Sequence, residues 1–231
     1  MRSVMTVAFV LAACAAWAQP APPPPPTPHD VIVVSGEATV RRAPDVAFVT
    51  IAVETRAKSP RDAQRLSADA MAAVLKRIAD AGIARDALRT VGVRLEQEFD
   101  NANGKRVPRD FVARNALEIT LADVARAGEI ADAAVQAGAT SIDGIRFDLK
   151  DRAAAEREAT RLAVVDARAR ADAAAAGAGR AIDRILRIEQ GGSSGPSPRP
   201  IMMRMSAESA TQIEAGLIEI RADVTITVAM R

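Results

Sequence analysis

Three methionines near the C-terminus form the only cluster of soft metal-ligating side chains in the sequence. Met202, Met203 and Met205 place three thioethers within four residues. Thioether sulfur suits Cu(I) and is oxidised reversibly to the sulfoxide. Methionine also fills irregular apolar gaps in cores and interfaces. The cluster therefore has two interpretations, a Cu(I) or oxidisable site and a packing element.

Side chains for covalent or proton-transfer chemistry are scarce elsewhere. The sequence has one cysteine, Cys14, one histidine, His29, and no tyrosine. These residue types supply most nucleophiles, most general bases near neutral pH and the tightest zinc ligands. We therefore expect no enzyme activity, no cofactor and no metal apart from the Cu(I) alternative.

Carboxylates are the remaining candidates for acid–base catalysis. Glu96 and Glu98 are two residues apart on a predicted strand, and Asp148 and Asp151 precede a predicted helix. Two positioned carboxylates can hydrolyse a bond without a third catalytic group. However, the first pair shares its face with the exposed Arg94, and the second fits helix capping. A carboxylate-only hydrolase is thus an alternative to a non-enzymatic function.

Two short patterns resemble catalytic loops without completing them. Ser35-Gly36 resembles a nucleophile turn, but no histidine follows it to act as its base. The segment Gly191–Gly195 is rich in glycine and serine but lacks the Gly-Lys-Ser/Thr ending of a phosphate-binding loop. Neither pattern predicts a catalytic or cofactor site.

The first eighteen residues have the three parts of a secretory signal peptide. Met1-Arg2 is a positive start, residues 4–13 are an apolar run, and Ala16-Trp17-Ala18 has small residues at cleavage spacing. The run is about half of the roughly 20 residues that span a bilayer. The sequence predicts a signal peptide over residues 1–18, no transmembrane span and a periplasmic location.

Cys14 leaves a second interpretation of this leader open. Leu11-Ala12-Ala13-Cys14 has the apolar-small-small-Cys pattern that precedes lipid attachment. A lipid on Cys14 would anchor the protein to the cell envelope, with the proline-rich residues 19–30 as a stalk. Without the lipid, those residues are predicted to be a disordered leader, because proline donates no backbone N–H group.

Charge and composition argue against nucleic acid as a partner. The formal net charge is +2, and only Arg2 lies within residues 1–18, so the mature chain carries +1. The sequence has no run of Lys or Arg, and aromatic residues that could stack on bases make up only 3%.

Hydrophobic periodicity predicts an α+β fold over residues 31–231. The first two strands are expected to pair as a hairpin, with a bend or bulge at Ser35-Gly36. A helix should begin after Ser59 and end at Gly82. A second strand–strand–helix unit suggests an internal duplication. The complete predicted order is ββαββαβαββ, in antiparallel sheets with packed helices.

The predicted helices carry apolar stripes that should face the core. In the first helix, the stripe is Leu66, Ala70, Met71, Val74 and Ile78. The long helix from about residue 152 to 176 has a stripe made mostly of alanine, so that a neighbouring element can approach closely. Its members are Ala155, Ala159, Leu162, Val165, Ala169, Ala173 and Ala176.

The connection between the last two strands, residues 191–216, is much longer than the 2 to 5 residues of a hairpin loop. Long connections of this kind commonly have a function. This one contains an apolar segment that would be a liability in water without a partner surface. The predicted contact residues for a neighbouring subunit are Ile201, Met202, Met203, Arg204 and Met205.

Several of these segments, in this order, resemble the SIMPL-domain family of bacterial envelope proteins, of the periplasmic immunogenic protein type. The resembling segments are Val34-Ser35-Gly36-Glu37, Ala43-Pro44-Asp45-Val46-Ala47, Ala81-Gly82-Ile83 to Thr90, Gly177–Gly179, and Pro196-Ser197-Pro198 with Met203-Arg204-Met205. The resemblance implies an α+β fold, an envelope location, assembly into large, hollow, channel-like homo-oligomers and a link to oxidative stress tolerance. It implies no catalytic residues.

The expected function is that of a non-enzymatic, exported protein that self-assembles. A periplasmic binding or holdase module that captures an apolar partner is the first alternative, and the carboxylate-only hydrolase is the second. The sequence identifies no small-molecule ligand.

If the methionine cluster binds copper, replacing Met202, Met203 and Met205 together by leucine should abolish Cu(I) binding, because leucine keeps the apolar volume and removes the sulfur. The free energy of unfolding should change little. Competition with a chromogenic Cu(I) chelator measures the affinity. A parent protein with no Cu(I) affinity would contradict the metal interpretation.

Overall fold

The computed structural model describes residues 30–102, 104–191 and 213–231 of the chain. Its helices are α1 (Pro60–Asp80), α2 (Ala127–Gln136) and α3 (Arg152–Gly177). Its strands are β1 (Val31–Arg42), β2 (Val46–Ala57), β3 (Leu88–Ala102), β4 (Lys105–Leu121), β5 (Ser141–Asp148), β6 (Ile182–Gln190) and β7 (Ile218–Met230). This order confirms the predicted ββαββαβαββ sequence and the α+β class.

The strands form two antiparallel sheets. One has three strands in the order β1-β7-β6, and the other has four in the order β3-β4-β2-β5. The predicted hairpin of β1 and β2 is wrong, because these strands lie in different sheets. Both edges of β2 are taken by β4 and β5, so β1 pairs instead with β7 at the far end of the chain. In contrast, β3 and β4 do form a hairpin.

The four-stranded sheet packs one face against α1 and α2. Val49 and Ile51 on β2 are fully buried against Val74 and Ile78 of α1 and Ile130 of α2. The predicted N-cap of α1 is confirmed, since the Ser59 hydroxyl accepts a hydrogen bond from the Asp62 N–H. The rest of the predicted α1 stripe is confirmed as core or packed against it, but Leu66 is exposed at its flank.

The three-stranded sheet packs against α3. The buried face of this helix is a ridge of alanines four residues apart, consisting of Ala155, Ala159, Ala163, Ala167, Ala171 and Ala175. The predicted stripe is right for Ala155 and Ala159, and its third residue, Leu162, is partly buried against this core. Its last four residues are exposed, and Val165 is 56% exposed. An i±4 ridge runs obliquely to the helix axis, about 26° from it, which suits packing on a twisted sheet.

Gly36 on β1 lies where α3 comes closest to the sheet. A Cβ atom at this position would lie 2.2 Å from the backbone nitrogen of Ala167 and 2.4 Å from the carbonyl oxygen of Ala163. The predicted bend or bulge at Ser35-Gly36 is wrong, because β1 and β7 pair without a register shift from Val31 to Arg42. The glycine serves close packing instead, and the neighbouring Glu37 N–H donates to the Asp166 carboxylate of α3 at 3.0 Å.

We predict that Gly36→Ala lowers the free energy of unfolding by about 3 kcal/mol, because backbone atoms of α3 must move away from the added methyl group. Gly92→Ala is the matched control, since a Cβ at position 92 on β3 meets no atom within 4 Å. Urea unfolding followed by circular dichroism measures both variants. Equal stabilities would contradict the close packing.

Candidate functional site

The segment that the sequence identifies as the contact element lies outside the described residues. Ile201, Met202, Met203, Arg204 and Met205 belong to it, and Cys14 is also outside. The structure does describe the two ends of this connection. The Gly191 N–H donates to the Asp223 carbonyl in the three-stranded sheet, and Ile213 packs against the core of the four-stranded sheet. The last described residue before residues 192–212 therefore lies at the three-stranded sheet, and the first one after them packs against the four-stranded sheet before the chain enters β7.

Three of the four candidate catalytic carboxylates have structural partners. Glu98 is paired with Arg56 at 3.3 Å. Asp148 is paired with Arg146 and Arg152, and the Asp151 carboxylate caps α3 by accepting from the Ala154 N–H at 2.8 Å. Glu96 is exposed on β3. This arrangement gives Glu98, Asp148 and Asp151 roles in ion pairing and capping.

Ser35 lies on the open face of the three-stranded sheet. Its hydroxyl shares a 2.9 Å hydrogen bond with the Thr225 hydroxyl, which is not a base that could take the serine proton. Within residues 30–102, 104–191 and 213–231, no group of three or more His, Cys, Asp or Glu side chains could hold a metal ion. A depression of about 250 Å³ lies beside Arg126, but that guanidinium donates to Ala81 and Glu129 of its own chain.

An ion-pair network that the sequence analysis missed links three strands of the four-stranded sheet. Arg114 on β4 contacts both carboxylate oxygens of Asp143 on β5 at 2.6 Å and one oxygen of Glu54 on β2 at 3.5 Å. The pKa of Asp143 is lowered, mainly by the hydrogen bond from Arg114 and also by one from Ser141. Partial burial of the carboxylate acts in the opposite direction and raises the pKa. The available signal in the sequence was one acidic and one basic residue, Glu54 and Arg114, on two predicted strands. Only the register of β2 and β4 shows that these residues lie directly opposite each other.

Two strands at sheet edges expose apolar side chains. On β3, these are Val91, Val93, Leu95 and Phe99, and Val93 is 71% exposed. On β6, they are Ile185, Leu186 and Ile188. β3 is confirmed as a strand, but no helix of the described chain covers the apolar row at this edge. Exposed apolar rows on strand edges are surfaces for pairing with another chain.

The folded region is thus an α+β protein of two helix-backed antiparallel sheets, whose most distinctive surfaces are exposed strand edges. The chain belongs to the SIMPL family, described as a protein of unknown function (DUF541), whose pattern matches residues 32–228. None of the described helices is long and apolar enough to cross a membrane.

Curated relatives cover most of the chain. It is 27% identical over 197 residues to the 26 kDa periplasmic immunogenic protein of Brucella melitensis, a match that spans 80% of this chain and 78% of the relative. The protein of the same name from Brucella abortus matches equally. The uncharacterized protein YggE of Escherichia coli is 25% identical over 183 residues, which is 79% of this chain and 73% of YggE.

We predict that Asp143→Asn lowers the free energy of unfolding at pH 7 by about 1 kcal/mol, because Arg114 loses the nearer of its two charged partners and keeps only Glu54 at 3.5 Å. A carboxylate with a lowered folded-state pKa stabilises the fold above its unfolded-state value of 3.8, and this contribution is lost as the pH falls further. The difference between parent and variant should therefore shrink below pH 4. Asp69→Asn is the control, because it makes the same charge change at an exposed carboxylate on α1 whose ion pair with Arg65 is longer, at 3.5 Å.

Proposed function

We propose that this chain is a non-enzymatic, exported envelope protein that self-assembles in the periplasm into a large, hollow homo-oligomer and contributes to oxidative stress tolerance. The single observation that carries the proposal is the exposure of apolar rows on β3 and β6, both at sheet edges. A protein in water gains free energy by burying such surface, at about 25 cal/mol per Å².

Export is supported by two independent observations. The leader over residues 1–18 has the parts of a signal peptide, and the Brucella relatives are named periplasmic proteins. Lipid attachment at Cys14 is the alternative, which would place the same protein on the membrane surface at the end of its proline-rich stalk. Both forms work outside the cytoplasm.

The connection between β6 and β7 is the proposed second element of the assembly. Its apolar residues Ile201, Met202, Met203 and Met205 would pack in an apolar groove of a neighbouring subunit, and Arg204 would form an ion pair at the rim. The thioethers would link the assembly to oxidative stress, since oxidation to sulfoxides makes an apolar contact polar, and the change is reversible.

A holdase is the second candidate, and the β3 edge is the observation that favours it. An extended apolar peptide can add to an open strand edge through main-chain hydrogen bonds, while its side chains contact the exposed row. In this function, the edges would bind unfolded envelope proteins rather than another copy of the chain.

Replacing Ser193–Ser206 by a short Gly-Ser link should shift the assembly toward smaller units while preserving secondary structure, because the proposed contact residues are removed. Multi-angle light scattering measures the mass, and circular dichroism checks the fold. The matched control replaces residues 193–200 with Gly-Ser of the same length and retains Ile201–Met205. If the shortened variant kept the full mass of the parent, the connection would not be the contact.

A further inference from the structure

The β3–β4 hairpin projects beyond the sheet to which it belongs. β2 pairs with β4 only as far as Ala57 and Phe111, whereas β3 and β4 remain paired to Ala102 and Lys105. The distal part of the hairpin is therefore a two-stranded ribbon without a third strand. Such a ribbon is marginally stable in water unless something packs or pairs against it.

The free edge of β3 lacks two of the features that usually block strand pairing, proline and lysine, although its pairing with β4 shifts register between Thr90 and Gly92 and between Gln97 and Phe99. Native edge strands are commonly short, or carry proline, lysine or a covering element. β3 has 15 residues without proline or lysine, whereas β5, at the opposite edge of the same sheet, has only 8. The long edge is thus open along a row of exposed apolar side chains.

The charges along β3 change sign at its middle. Its basic residues, Arg89 and Arg94, come first, and its acidic residues, Glu96, Glu98 and Asp100, follow. A strand with this order is complementary to an antiparallel copy of itself, because the basic half of each faces the acidic half of the other.

Two of these charges have no ion-pair partner within the described chain. The other three charges of β3 each have a partner. Arg89 pairs with Glu118, Glu98 pairs with Arg56, and Asp100 pairs with Arg109. In contrast, no ion pair of the described residues includes Arg94 or Glu96, and Arg94 lies opposite another cation, Arg114, in the β3–β4 register. These two central charges are available to another molecule.

We propose that β3 pairs antiparallel with β3 of a second copy about a two-fold axis through Leu95. This inference rests on the proposed self-assembly and assigns one of its interfaces. Arg94 then faces the partner subunit's Glu96, and the reciprocal pair forms on the other side of the axis. The two four-stranded sheets join into one continuous sheet of about eight strands, which is a closed, isologous dimer.

Two observations support an axis through Leu95: the contacts that it gives the exposed apolar residues of β3, and the like-charge contacts that neighbouring axes would create. Leu95 meets its own copy, and Val93 has the partner's Leu95 and the partner's Phe99 as diagonal neighbours, within reach of these side chains. An axis through residue 94 would place Arg94 against its copy, and an axis through residue 96 would do the same for Glu96. Like charges directly opposite each other destabilise a strand pair.

Charge reversal tests the pairing with an internal rescue. Arg94→Glu and Glu96→Arg should each weaken dimerisation at least tenfold, because both reciprocal pairs become repulsive. The double variant R94E/E96R should recover the parent affinity to within about threefold. Arg94→Glu places an anion opposite Arg114, so the melting temperature of the monomer should not fall. Analytical ultracentrifugation over a concentration series measures the affinities.

Cysteine cross-linking tests the position of the axis. In a Cys14→Ser background, Leu95→Cys should form covalent dimers with a short bifunctional thiol reagent. Val93→Cys is the matched control on the same face, because the two copies of residue 93 would be about 14 Å apart along the paired strands. Cross-linking of Val93→Cys as complete as that of Leu95→Cys, or full parent mass in both single charge variants, would overturn the pairing.

These results separate this pairing from the proposed function. A parent that assembles while Leu95→Cys does not cross-link overturns the β3 pairing and leaves self-assembly standing. A parent that forms a dimer and nothing larger contradicts the hollow assembly, and the cross-link still supports the pairing. Capture of unfolded polypeptide at the β3 edge without cross-linking would favour the holdase and overturn the dimer.

Discussion

The fold depends on the close contact between α3 and β1 at Gly36. A single missing side chain lets the helix backbone reach the strand, and the alanine ridge continues this contact along both β1 and β7. Because β1 is the first strand of the chain and β7 the last, their pairing over 12 residue pairs brings the two ends of the described fold together. The long-range contact thus decides which strands share a sheet.

The second sheet is stabilised differently. Its centre is β2, which has neighbours on both sides and buries Val49 and Ile51 against two helices. The opposite face carries charge, and Arg114 ties β4 to Asp143 of β5 across β2. Apolar packing on one face and ion pairing on the other therefore fix the centre of the sheet, while its β3 edge extends beyond both.

The helices do not cover every strand of the two sheets, and the strands that they leave uncovered expose apolar side chains. α3 packs mainly on β1 and β7, which leaves the apolar residues of β6 exposed, and the distal β3–β4 ribbon has no third strand. Of the candidate catalytic carboxylates, Glu98 and Asp148 form ion pairs and Asp151 caps α3. The exposed apolar residues of β3 and β6 consequently lie at sheet edges, where another strand could pair.

The sequence by itself determined the elements, because caps, turns and periodicity act over a few residues: Ser59 and Asp151 begin their helices, Gly82 follows the end of α1, and alternate residues of β7 are buried. It also indicated an α+β member of the SIMPL family. Tertiary structure decided the rest. Which strand pairs with β1, which alanines of α3 are buried and which apolar row remains exposed depend on what packs across the chain, and local periodicity carries no information about distant partners. Gly36 is the clearest case: its sequence context fits a bend, and only the position of α3 makes it a packing residue.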